Sequence, residues 1–153
     1  MDSMPGKTAD PLRLLAGDED DLKIISAALQ DAVCTIGDID YEPRARRLTL
    51  ALNRYRWEAK ASGRGGERVR AAIQFGGVLS VQARRLRRDA KRGVLSLLTV
   101  GFEPGAAPSG VVTLNFAGGG ALRVQVECLD AVLSDLSTPW PTPRRPSHEG
   151  AEG

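Results

Sequence analysis

The chain predicts an α+β fold: an antiparallel meander of about seven strands with an N-terminal helix and a short C-terminal helix. Three observations carry this reading. Apolar residues recur at helical spacing behind an acidic run at 18–21. From Asp31 to Glu127 the apolar period changes to alternation. After Cys128 the helical spacing returns. The alternating runs are joined by short connections, which favour antiparallel neighbours.

A length of 153 residues suits one domain with a sizeable core. The apolar and charged fractions, 42% and 26%, are those of an ordinary globular chain and argue against wholesale disorder. No window approaches the ~18 consecutive apolar residues of a membrane-spanning helix. The opening MDSMPGKTAD lacks the apolar centre of a secretory signal, so the expected compartment is the cytosol. There Cys34 and Cys128, distant in sequence and outside any CxxC spacing, are expected as buried free thiols.

Residues 1–10 are polar and contain Pro5 and Gly6, the composition of a mobile terminus. The expected domain runs from 11 to 137. Leu12, Leu14 and Leu15 suggest a short strand or anchoring segment. Asp18 then caps a helix over about 18–30, with Leu22, Ile25 and Leu29 at helical spacing. Carboxylates in its first turn suit the helix dipole. Residues 32–41 read as the first strand of the meander, and Glu42 to Arg46 as its turn, where Pro43 fixes φ. Leu48, Leu50 and Leu52 share one face of the next strand. Beyond them the parity shifts: Arg54 and Arg56 continue the leucine row, while Tyr55 and Trp57 are apolar. Either a bulge near Asn53 or a strand covered on both faces would account for this.

Residues 59–66 are Gly/Ser-rich. Val69, Ala71, Ile73 and Phe75 alternate on a third strand. Gly76-Gly77 suits a two-residue hairpin turn leading to a fourth strand with Leu79, Val81 and Ala83 on one face. A basic connection, RRLRRDAKR, spans 84–92. Val94 to Phe102 begins apolar on both faces, which places the fifth strand centrally. The last hairpin joins Val112, Leu114 and Phe116 to Leu122, Val124, Val126 and Cys128 through Gly118-Gly119-Gly120. Leu129, Val132, Leu133 and Leu136 then fall at i, i+3, i+4 and i+7, predicting a short helix that stops before Pro139. The tail 138–153 is Pro-rich, with Trp140 as its anchor onto the sheet. Seven antiparallel strands followed by a helix is the order of a pleckstrin-homology-like roll, a match carried by element count alone.

Charge is sorted along the chain. Residues 43–92 hold fifteen basic residues against three acidic ones, a net of +12, while 1–42 carry −7 and 93–153 carry −3. Such asymmetry points to partners. Arg84, Arg85, Arg87 and Arg88, with Lys91 and Arg92, form the densest cluster. Arg54 and Arg56 flank Tyr55 and Trp57, a composition that can hold phosphates or stacked bases. The structural alternative is that the basic strands face the chain's own acidic helix, or guard a strand edge.

Several chemistries lack their parts. His148 is the only histidine and stands in the Pro-rich tail, so a histidine-assisted nucleophile has no base in the domain. Two cysteines and that histidine do not make a zinc site. Asp18, Asp20 and Asp21 are explained by helix capping, and Asp38 and Asp40 by a solvated strand end, rather than by a cation. Glu58, Glu103 and Glu127 are scattered. No phosphate-loop motif occurs. Gly63 to Gly66 could lie against a phosphate, and Gly118 to Gly120 reads as a turn. Nucleic-acid motifs are absent as well.

Leu48 to Glu58, Gly93 to Pro104, and the run Leu122-Arg-Val-Gln-Val-Glu-Cys-Leu-Asp130 followed by Asp135-Leu, Pro139-Trp140 and Pro146-Ser-His148 resemble a family of small alphaproteobacterial proteins catalogued as a domain of unknown function. The resemblance covers nearly all of 11–148. It implies a bacterial, cytosolic, single-domain protein and brings no activity or ligand with it. The expectation is a non-enzymatic cytosolic binding or adaptor module, needing no cofactor and no membrane. It would engage an acidic or anionic partner through Arg54, Arg56, Arg84, Arg85, Arg87 and Arg88. A protein partner is expected first. RNA or DNA held by phosphate contacts, self-association and an enzyme are the alternatives.

Overall fold

A computed structural model describes residues 11–58, 66–87 and 90–142. Eleven strands and one helix follow in order: β1 (Arg13–Ala16), α1 (Glu19–Ala28), β2 (Val33–Thr35), β3 (Ile39–Glu42), β4 (Arg47–Tyr55), β5 (Glu67–Phe75), β6 (Val78–Arg84), β7 (Val94–Pro104), β8 (Gly110–Phe116), β9 (Ala121–Val126), β10 (Ala131–Asp135) and β11 (Trp140–Pro141). The strand order is β1-β10-β5-β4-β2-β7-β8-β9-β6, with β3 added to β4 and β11 to β5. Every pairing is antiparallel. The fold is thus a sheet-dominated α+β architecture. The seven-strand meander and the pleckstrin-homology-like roll are both set aside.

The helix forms as its sequence dictates. Asp18 is extended, and its side chain accepts the Asp21 N–H at 2.8 Å. Leu22, Ile25 and Leu29 are buried. Asp31, at φ 64°, turns the chain, and its N–H reaches the Leu97 carbonyl at 2.8 Å. The Ser26 hydroxyl accepts the Val100 N–H, so the helix is fixed along β7.

The expected strand at 32–41 is broken into β2 and β3 by one 3₁₀ turn at Ile36–Asp38. The Asp38 carboxylate accepts both the N–H and the hydroxyl of Thr35, at 2.9 and 3.0 Å. This local bond competes with the ladder and interrupts it. β7 is central, between β2 and β8, as its two apolar faces predict. The β8–β9 hairpin also matches its expectation, with Gly118 and Gly119 at positive φ in its turn.

Gly76-Gly77 is not a hairpin. β5 pairs with β4 and β10, whereas β6 pairs only with β9 at the far end of the order. The chain instead turns a corner, with Gly77 at φ 64°, and runs on. The Val78 N–H bonds to the Arg46 carbonyl and the Glu127 N–H to the Gly77 carbonyl, both at 2.9 Å. The register shifts between Val78 and Ser80, so Val78 is buried and Leu79 faces outward, 50% exposed. Leu79 therefore does not share a face with Val81 and Ala83 as the alternation suggested.

The expected C-terminal helix is β10. Its inward row is Leu129, Ala131, Leu133 and Asp135, and the acidic residue disguised the alternation. β10 lies between β1 and β5. The parity problem in β4 is resolved without a bulge, because the β4–β5 register runs unbroken from Leu48 to Tyr55. Arg54 simply continues the buried leucine row. Tyr55 is buried on the opposite face, where Trp57 meets it edge-on with ring centroids 4.6 Å apart. Side chains of α1, β4, β5, β8 and β9 join one continuous core.

Both cysteines are free. Cys34 is buried, but Cys128 is exposed, contrary to expectation, because it lies beyond the end of β9. Trp140 pairs through β11 with Arg68 and is 38% exposed. Residues 1–10, His148 and most of the Gly-rich loop fall outside the described residues. Among the described residues, no helix is long and apolar enough to cross a membrane.

Candidate functional site

The basic block divides into two populations. The first is neutralised within the fold. Arg54 is fully buried, and its Nε and Nη2 donate to the two Asp135 carboxylate oxygens, both at 2.9 Å. Nη1 and Nη2 also donate to Glu58, at 3.0 and 2.7 Å. Arg56 pairs with Glu67 and lies 3.7 Å from Glu58. Arg46 pairs with Glu127, Arg47 with Glu42 at 2.7 Å, and Arg70 with Asp38 at 3.0 Å. Arg68 is half-buried and packs over the Tyr55 ring. Arg54 and Arg56, expected to face a partner, instead hold β4, β5 and β10 together. None of these carboxylates comes from α1, so the acidic helix is not the counterion of the basic strands.

This pairing sets the local electrostatics. Burial acts to raise the Glu58 carboxyl, but the Arg54 hydrogen bonds and charge outweigh it and hold the group below its usual range. Asp38 is held low in the same way: burial opposes, while the Thr35 bonds and Arg70 prevail. Burial, with a smaller push from Asp38, drives the Cys34 thiol up to about 12, so it stays protonated.

The second population is exposed. Arg84 ends β6, and Arg85, Arg87, Lys91 and Arg92 follow in the connection to β7. None of them makes an ion pair with a described residue. Arg88 lies outside the described residues. Arg123 on β9, opposite Gln82, joins Arg84 around a shallow depression of about 360 Å³. The connection is seated on the sheet. Arg85 adopts φ 56°, and Leu86 packs so closely on Gly120 that a Cβ there would lie 2.5 Å from its side chain. The Gly37 N–H bonds to the Lys91 carbonyl at 2.9 Å, and the Ile36 N–H to the Gly93 carbonyl at 3.0 Å.

Next to this cationic rim is an apolar cleft of about 190 Å³. Ile36, Ile39 and Tyr41 line one wall, Val81, Ala83 and Leu86 the other, with Leu122 and Lys91 completing it. Among the described residues, neither depression is lined by a carboxylate or a cysteine. Among the described residues, no cluster of His, Cys, Asp and Glu could hold a metal ion.

Sequence reasoning identified Arg84, Arg85 and Arg87, but it missed Arg123 and the cleft. Arg123 stands between Leu122 and Val124 on the outer face of β9, and nothing in the linear sequence links it to Arg84. The cleft has no linear signature, because its walls are brought together by the corner at Gly76-Gly77.

No curated protein and no solved structure matches the chain. A family described as a protein of unknown function, DUF2948, matches residues 12–148, and the chain belongs to that family.

Proposed function

We propose that this protein is a non-enzymatic cytosolic adaptor that engages an acidic protein partner through the cationic rim at the end of β6. The observation that carries this reading is the segregation of the arginines. Arg54, Arg56 and Arg70 are tied to carboxylates within the fold and Arg46 and Arg47 in surface pairs, whereas Arg84, Arg85, Arg87, Lys91, Arg92 and Arg123 are exposed and make no ion pair among the described residues. Like charges gathered at one edge raise the local concentration of an oppositely charged partner and steer its approach. A protein is favoured over nucleic acid by the aromatic residues. Tyr55 is buried with Trp57 packed edge-on against it, and Tyr41 stands in the apolar cleft, so among the described residues the rim carries no row of exposed rings on which bases could stack.

The test is fluorescence anisotropy of the full chain with labelled poly-glutamate and with single-stranded RNA, across a salt series. The variant Arg84→Gln/Arg85→Gln/Arg87→Gln is expected to lose about tenfold or more in poly-glutamate affinity, about 1.4 kcal/mol, with unchanged circular dichroism. RNA that binds tighter than poly-glutamate with a steep log-linear salt slope would assign the rim to phosphates instead. Absence of both interactions at low salt would end the reading.

A further inference from the structure

We infer that the acidic partner docks as an added β-strand, laid between β3 and β6, with alternate apolar side chains entering the cleft and its carboxylates meeting the rim. This rests on the acidic-partner reading and specifies its geometry. β6 has one neighbour, β9, and β3 has one neighbour, β4. Among the described residues each therefore has one side without a sheet partner, and side chains from both strands line the cleft. Among the described residues no strand lies between them.

The gap is bounded at both ends. At one end the Val78 N–H is bonded to the Arg46 carbonyl. At the other the Gly37 N–H is bonded to the Lys91 carbonyl. Between these clamps β3 spans four residues, about 13 Å of extended chain. Unpaired strand edges are templates for pairing, and proteins usually blunt them with charge or proline. β6 carries neither before Arg84: its residues are Val78, Leu79, Ser80, Val81, Gln82 and Ala83. The bulge is confined to its first residues, beside the corner.

The cleft volume decides what kind of occupant fits. At about 190 Å³ it is smaller than the ~300–1,000 Å³ of sites that enclose a whole small molecule. It suits a few aliphatic side chains presented by a strand. Charge fixes the rest of the occupant. Arg84, Arg85 and Arg87 follow directly at the far end of β6, with Lys91 on the cleft itself. A segment alternating in apolar residues and then turning acidic matches both features, and strand addition supplies main-chain hydrogen bonds for affinity.

The probe is a synthetic peptide of four alternating valine and threonine residues, matching the span of β3, followed by glutamates. Controls carry a central proline, or serine in place of each valine, or the glutamates alone. The parent peptide is expected to bind about tenfold tighter than every control, and to protect backbone amides of β3 and β6 from hydrogen exchange. Ala83→Gln, at a half-buried wall position, should abolish that advantage, while Leu79→Thr on the outer face should keep it. Binding of the proline control as tightly as the parent, or protection elsewhere, overturns strand addition. If the glutamates bind but the apolar segment adds nothing, the strand inference falls and the rim reading stands. If neither binds, both fall. Self-association that sediments as a dimer and protects β6 would assign the edge to a second copy. Saturable octanoate binding without peptide binding would make the cleft a small-acid pocket. Either result overturns the inference.

Discussion

Replacing Asp135 with alanine tests the arrangement on which the division of the arginines depends. The Asp135 side chain is 2% exposed and accepts two parallel hydrogen bonds from a guanidinium with no exposure at all. Deleting one partner of a buried ion pair strands the other, at about 3–5 kcal/mol. Glu58 still supplies two bonds, which argues for the lower end, about 3 kcal/mol. Asp135 also accepts the Leu12 N–H at 2.9 Å, and leaving that donor unmet adds about 1 kcal/mol. The expected loss is therefore about 3–4 kcal/mol, or about 6–15 °C in Tm for a chain of this size. Urea unfolding followed by circular dichroism and tryptophan fluorescence measures it. The double variant Arg54→Met/Asp135→Leu removes both charges and should recover most of the loss, because the penalty is the uncompensated ion rather than the missing attraction. A loss below about 1 kcal/mol for Asp135→Ala, or a double variant as unstable as the single one, would refute the reasoning.

Three further outcomes are expected. Glu58 and Asp38 are held below their ordinary values in the folded state, so the unfolded chain takes up protons first. Their stabilisation is complete above the unfolded value of about 4 and is lost as pH falls through the folded values. The urea midpoint should drop below about pH 4 and drop less in Glu58→Gln; a midpoint flat down to pH 2 would contradict this. A thiol reagent should modify Cys128 alone in the native protein and reach Cys34 only in denaturant, and prompt labelling of two native thiols would show that Cys34 is not sealed. Gly110→Ala would place a Cβ 2.5 Å from the Phe102 ring and 2.6 Å from the Glu103 carbonyl oxygen. It should cost about 2–3 kcal/mol in thermal or urea unfolding, and a neutral result would show that the β7–β8 end can yield.

Which parts were legible in the sequence follows from the range of the interactions that decide them. The α1 cap and the β8–β9 hairpin depend on neighbours a few residues apart, and the central place of β7 shows in its own two apolar faces. β10 depends on a partner 81 residues away. Its inward row contains Asp135, which looks like a solvent-facing residue until Arg54 is opposite it. The same holds for the candidate site. The concentration of arginines was visible, but their division was not, because a linear sequence does not say which guanidinium meets a carboxylate. Gly76-Gly77 shows the limit most clearly. Two glycines between alternating runs permit either a reversal or a corner. What decided it was the bonding of Val78 to Arg46, in the turn before β4, and of Glu127, just past β9, to Gly77.

The reach from Arg54 to Asp135 also imposes an order on biosynthesis. A nascent chain has β4 and β5 long before it has β10, the strand that borders β5 and carries the acceptor for the guanidinium. Until residue 135 has left the ribosome, that hairpin keeps a bare edge and a charge without its deepest counterion. Distant pairing of this kind is slow to form, and stalled products ending before β10 carry the exposed, unpaired surface that quality control removes. Completion of this fold is therefore held back until β10 has been made.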